Sequence, residues 1–149
     1  MTPRPLATGV AGTLALLSAL HATWLFSSWP LPDRRRFAET VIGASPDNVP
    51  SAAATCTVAG LLASASLLVA RCGAPSPRRP PGGITILGTW TVAGVLLARA
   101  IGGFVVSGAG LVDAPAAFRR LDLTVYSPLC LVLGGGAARV AANVQRTDR

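Results

Sequence analysis

Residues 84–107 read ITILGTWTVAGVLLARAIGGFVVS, an apolar run interrupted by one charge, Arg99. As a helix rising about 1.5 Å per residue, a run of this length crosses the roughly 30 Å hydrocarbon core of a bilayer. Three comparable runs accompany it, at residues 6–29, 51–70 and 123–144. In lipid the backbone must satisfy its own hydrogen bonds, and apolar runs of this length do so as helices. The expectation is therefore an all-α, integral membrane four-helix antiparallel bundle, with residues 1–149 forming one four-span domain. Composition agrees: 51% of the chain is hydrophobic against 13% charged, and the mean hydropathy is +0.54, values foreign to an ordinary soluble domain.

The formal charge of +7 comes from thirteen arginines set against six acidic residues. A nucleic-acid partner would account for such a balance, but the arginines stand in short clusters at the borders of the apolar runs, where topology explains them and no nucleic acid is implied. The stretches WPLPDRRR, RCGAPSPRRPPGG and DAPAAFRRLD separate the runs and are rich in breakers, as loops at a membrane surface are. Four spans place the termini and the middle loop on one side with seven arginines (Arg4, Arg71, Arg78, Arg79, Arg139, Arg146, Arg149). The other side carries five (Arg34, Arg35, Arg36, Arg119, Arg120). The excess predicts a multi-pass protein of the cell membrane with cytoplasmic termini. The first run is too long for a signal peptide and lacks a small-x-small cleavage site before Trp24, so it is expected to be retained.

An arginine inside a span needs partners, because a charge facing lipid costs about 2.5–3.5 kcal/mol even on the gentler insertion scale. Arg99 lies eight residues before Ser107, and His21 lies eight residues before Trp29, so the two are expected at one depth below the outer surface. Asp122 and Tyr126, four apart in LDLTVYSPLC, are expected to share a helix face, with Cys130 continuing the stripe inward. These residues, with Trp24 and Phe104 lining the apolar part, form the expected outward-opening ligand pocket: His21, Trp24, Arg99, Phe104, Asp122 and Tyr126. Gly102 and Gly103 remove side chains beside Arg99 and leave room for a helix or a ligand.

The ordered set His21-x-x-Trp24, Trp29-Pro30, Arg99-x-x-Gly102-Gly103-Phe104 and Phe118-x-x-Leu121-Asp122-x-x-x-Tyr126-Ser127-Pro128-Leu129-Cys130 resembles the small bacterial membrane proteins grouped as domain of unknown function 3995. The resemblance covers most of the chain and implies four spans without an assigned activity. Ser27 and Ser28 depart from it, standing where the pattern leads one to expect a glycine pair.

Each residue also has a structural reading. Arg99 with Asp122 can be an ion pair of the bundle, His21 and Trp24 an interhelical contact and an interfacial anchor, and Gly134 to Gly136 a packing face. Pro128 removes a helix hydrogen bond at the carbonyl of Thr124 and bends the helix or marks its first turns. Cys56, Cys72 and Cys130 form no C-x-x-C pair and are expected as free thiols, and a single histidine leaves no metal, haem or other cofactor implied. A faint echo between VIGASPDNVPSAA and VSGAGLVDAPAAF is short enough to arise by chance. Three functions remain open. One is a binding or carrier module for a lipid or small anionic molecule drawn from the bilayer. The second is a membrane-embedded enzyme using His21 or Tyr126 with Arg99, and the third is a structural subunit of a membrane complex of undetermined oligomeric state. One histidine and no paired carboxylates favour binding.

Overall fold

The computed structural model describes residues 3–45, 48–74 and 80–147; Asp47, Arg78, Arg79 and Arg149, on which part of the topology rests, lie outside the described residues. Among the described residues six α-helices follow in order: α1 (Pro3–Thr23), α2 (Arg34–Phe37), α3 (Ala52–Gly73), α4 (Gly83–Ala109), α5 (Ala116–Leu121) and α6 (Ser127–Thr147). Two π-helical segments, Ala38–Ile42 and Asp122–Tyr126, continue α2 and join α5 to α6. Arg4–Thr23, Ala52–Gly73, Gly83–Ala109 and Ala116–Arg146 are long and apolar enough to cross a membrane. The chain is thus an all-helical membrane protein with four spans.

The bundle is built from two antiparallel hairpins. In the first, Ser18 donates to the carbonyl of Ala59 and Ser66 donates to that of Ala11, each at 2.8 Å, while Gly73 packs on Ala7. In the second, Leu97 lies against Gly134 and Trp90 donates to Gln145 at 3.4 Å. Lipid removes the hydrophobic drive between helices, so close packing of small residues and interhelical bonds of this kind, each worth about 0.6 kcal/mol, carry the association. The glycine triplet shows this division of labour: a Cβ on Gly134 would meet Leu97 of α4 at 2.9 Å, one on Gly136 would meet Val10 of α1 at 2.7 Å, and one on Gly135 would meet nothing within 4 Å. Leu14, Val69 and Val140 are fully buried at the centre, whereas Leu61, Leu67, Val95 and Val132 face outward as a lipid-contacting belt.

Two boundaries depart from expectation for local reasons. The first span ends at Thr23, not Trp29. Beyond it the amides of Leu25 and Phe26 bond carbonyls only three residues back, and Ser27 Oγ accepts the amide of Trp29. Pro30 lacks an N–H and restricts the residue before it, while serine hydroxyls offer the backbone alternatives to the helix. At the fourth span the chain enters through a π-helical turn in which the amide of Ser127 bonds the carbonyl of Asp122, five residues back. In an α-helix the Pro128 ring would strike the carbonyl of Thr124, and the wider turn relieves that clash.

Candidate functional site

Arg99 reaches Asp122 with Nη2 at 2.7 Å from Oδ1. The carboxylate is also met by Ser107 Oγ on Oδ2 and by Ser127 Oγ at 3.3 Å on Oδ1, so three donors from α4 and the start of α6 converge on one anion. Asp122 is buried, its side chain 3% exposed, while that of Arg99 remains 44% exposed. Gly103 makes the arrangement feasible, because a Cβ there would overlap Ser127 Oγ and the Arg99 guanidinium and stand 3.1 Å from Asp122 Oδ1. Arg119 closes the end of α4: its Nε donates to the carbonyl of Ser107 at 3.2 Å, and its guanidinium lies over Gly110, whose φ of +64° turns the chain off the helix. A groove of about 340 Å³ runs past this centre, lined by Ala98, Arg99, Gly102, Val106, Ser107 and Phe118 among others.

A second, larger cleft of about 760 Å³ opens where α1 ends and α3 begins, bounded by α2 and the π-helical segment that follows it. Trp24 forms its wall, with its ring centroid 4.8 Å from that of His21 and 5.2 Å from that of Phe37, and its Nε1 is tied to the carbonyl of Trp29 at 2.9 Å. His21 Nδ1 lies 2.8 Å from the carbonyl of Leu17. A carbonyl only accepts, so Nδ1 carries a proton and donates, and Nε2 is the ring nitrogen left without this bond. Arg34, Ser28, Thr55, Val41, Ile42, Val49 and Val58 are among the other lining residues.

The expected single pocket is therefore two clefts that share no lining residue. The structure unites Arg99 with Asp122 and places His21 and Trp24 elsewhere. The helix ends differ from those expected: His21 is two residues from the end of α1 (23 − 21), about 3 Å, whereas Arg99 is ten from the end of α4 (109 − 99), about 15 Å. A π-helical turn brings the fifth residue, Ser127, over Asp122, so the hydroxyl that bonds the carboxylate is that of Ser127. The Tyr126 ring packs near Phe118, ring centroids 6.1 Å apart; among the described residues no hydrogen bond joins it to Asp122 or Arg99, but it lies close enough to interact with both charges. Phe104 is 37% exposed and lines neither cleft. Ser107, Arg119, Arg34 and Phe37 were not among the expected site residues, and Ser127 and Phe118 entered only through the family-like pattern. Ser107 had a signal, since Arg99, Gly103 and Ser107 recur every four positions on one face of α4. The cysteines are free thiols, Cys72 buried and Cys56 exposed.

The family described as "Protein of unknown function (DUF3995)" matches residues 14–137. No curated protein and no solved structure matches the chain.

Proposed function

Because the chain belongs to the DUF3995 family, whose function is unknown, we propose from its own geometry that it is a membrane-embedded binding protein for an amphipathic molecule with an anionic head. The cleft beside Trp24 carries this reading. A concave, mostly apolar site with a few convergent polar groups is the usual form of a small-molecule site, and here an acyl or ring-bearing tail would lie along Trp24, Phe37, Val41 and Val58. The head would meet the Arg34 guanidinium, which has no ion-pair partner among the described residues, and His21 Nε2, the ring nitrogen not engaged by Leu17, would hydrogen-bond it. The arginine excess at the termini and middle loop supports a cell-membrane location with the cleft facing outward.

The test uses a variant with Trp24 as the sole tryptophan (Trp29→Phe, Trp90→Phe), held in lipid nanodiscs and titrated with a brominated fatty acid. Saturable quenching of Trp24 emission, weakened severalfold by Arg34→Ala, is the expected result. Linear quenching that is indifferent to Arg34→Ala would overturn the proposal.

A further inference from the structure

We propose that the groove beside Arg99 is a separate site on the flank of the bundle that holds the phosphodiester of an anionic lipid. The starting point is an imbalance of donors. Asp122 is fully engaged by Arg99, Ser107 and Ser127, yet Arg99 spends only Nη2 on it, and its remaining N–H groups have no acceptor among the described residues. Hydrocarbon cannot satisfy such groups, and leaving them bare costs several kcal/mol in principle.

The position of the charge selects the bilayer's interfacial layer as the source of the acceptor. The Arg99 backbone lies about 15 Å from the end of α4, but its head is carried toward that end. It meets the carboxylate that Ser107 also bonds, and Ser107 is two residues from the helix terminus (109 − 107), about 3 Å. The side chain thus snorkels toward the level where lipid phosphates and esters reside. Charge selects the headgroup. Arg99 and Arg119 flank Ser107 against one carboxylate, leaving one formal positive charge, which a singly charged phosphodiester neutralises. Guanidinium forks match phosphate oxygens in geometry as well as charge. A zwitterionic lipid would bring its own cation against Arg119.

Gly102 supplies a probe, because it lines the groove and a Cβ there would meet nothing within 4 Å, so a larger side chain has space to occupy. The full chain is placed in nanodiscs of phosphatidylcholine containing a minority of phosphatidylglycerol, and lipids retained after release are counted by native mass spectrometry. Wild type is expected to retain phosphatidylglycerol selectively. Gly102→Leu and Arg119→Gln, with unchanged helicity and elution, are expected to retain about fivefold less, the scale of one arginine at a membrane surface. Equal retention of the two lipids by wild type, or undiminished retention by both variants, would overturn the site. Displacement of the lipid by millimolar inorganic phosphate would overturn the lipid as the source of the anion, as would a lipid-free dimer that persists in wild type and dissociates in Gly102→Leu. Neither cleft borrows residues from the other, so this outcome is independent of quenching at Trp24.

Discussion

Gly43 lies beneath the ring of Phe118: a Cβ built on Gly43 would stand 2.5–2.8 Å from three ring carbons. Gly43 ends the first π-helical segment with φ +78°, and Phe118 belongs to α5, so the contact joins the connections of the two hairpins. Gly43→Ala meets both a strained backbone and an occupied space. It is expected to cost about 1–3 kcal/mol, read as a lowered unfolding midpoint in detergent, and Phe118→Ala in the same chain should recover part of the loss. An unchanged midpoint for Gly43→Ala would contradict the packing.

Arg99→Ala removes one of three donors from a buried carboxylate. Hydrogen bonds to charged groups are worth about 1.5–3 kcal/mol, and the half-exposed Arg99 side chain places the expected loss toward the lower end. The double variant with Asp122→Ala should be more stable than the sum of the single losses implies, and Arg99→Lys should restore charge but only part of the stability. Strict additivity in the double-mutant cycle would show that the pair contributes nothing to folding.

How much of this was legible follows the difference between period and irregularity. Four spans and the Arg99–Asp122 pair are readable because apolar length and an intramembrane charge are signals that each residue carries by itself. The placement of His21 depends on where α1 stops, and that is decided by Ser27, Trp29 and Pro30 competing for backbone groups outside the helix. The partner of Asp122 depends on a turn of five residues where the sequence suggests four. Pro128 announces a disturbance, but its direction is set by the space between α4 and α6 that Gly103 keeps open.

Pro128→Ala tests that point. Restoring the amide removes the clash that the wide turn relieves, so the turn is expected to tighten and carry Asp122 away from Ser127 and Arg99. The Arg99–Asp122 coupling energy, measured by the same cycle in the Pro128→Ala background, should fall by half or more. A coupling energy equal to wild type would mean that Pro128 has no part in setting the register.

Topology is accessible through single cysteines placed in a chain whose native thiols are replaced by serine. Asp33→Cys and Asp113→Cys, in the connections of the two hairpins, are expected to label from one side of the membrane. Ala74→Cys, just beyond α3, is expected to label from the other. Labelling of Asp33→Cys and Asp113→Cys from opposite sides is incompatible with the two-hairpin arrangement.

The separation in sequence between Arg99 and Asp122 also constrains how the protein is made. During synthesis α4 reaches the insertion machinery before the residue that neutralises its guanidinium, because Asp122 follows twenty-three positions later. A lone α4 would enter lipid carrying a penalty of about 2.5–3.5 kcal/mol, with neither Asp122 nor Ser127 yet available. The first hairpin has no such debt, since Ser18 and Ser66 bond carbonyls already present when α3 emerges. The order of synthesis is therefore asymmetric: the first hairpin's interhelical bonds can close once α3 is made, whereas the charge in α4 gains its partner only when the start of α6 has been made.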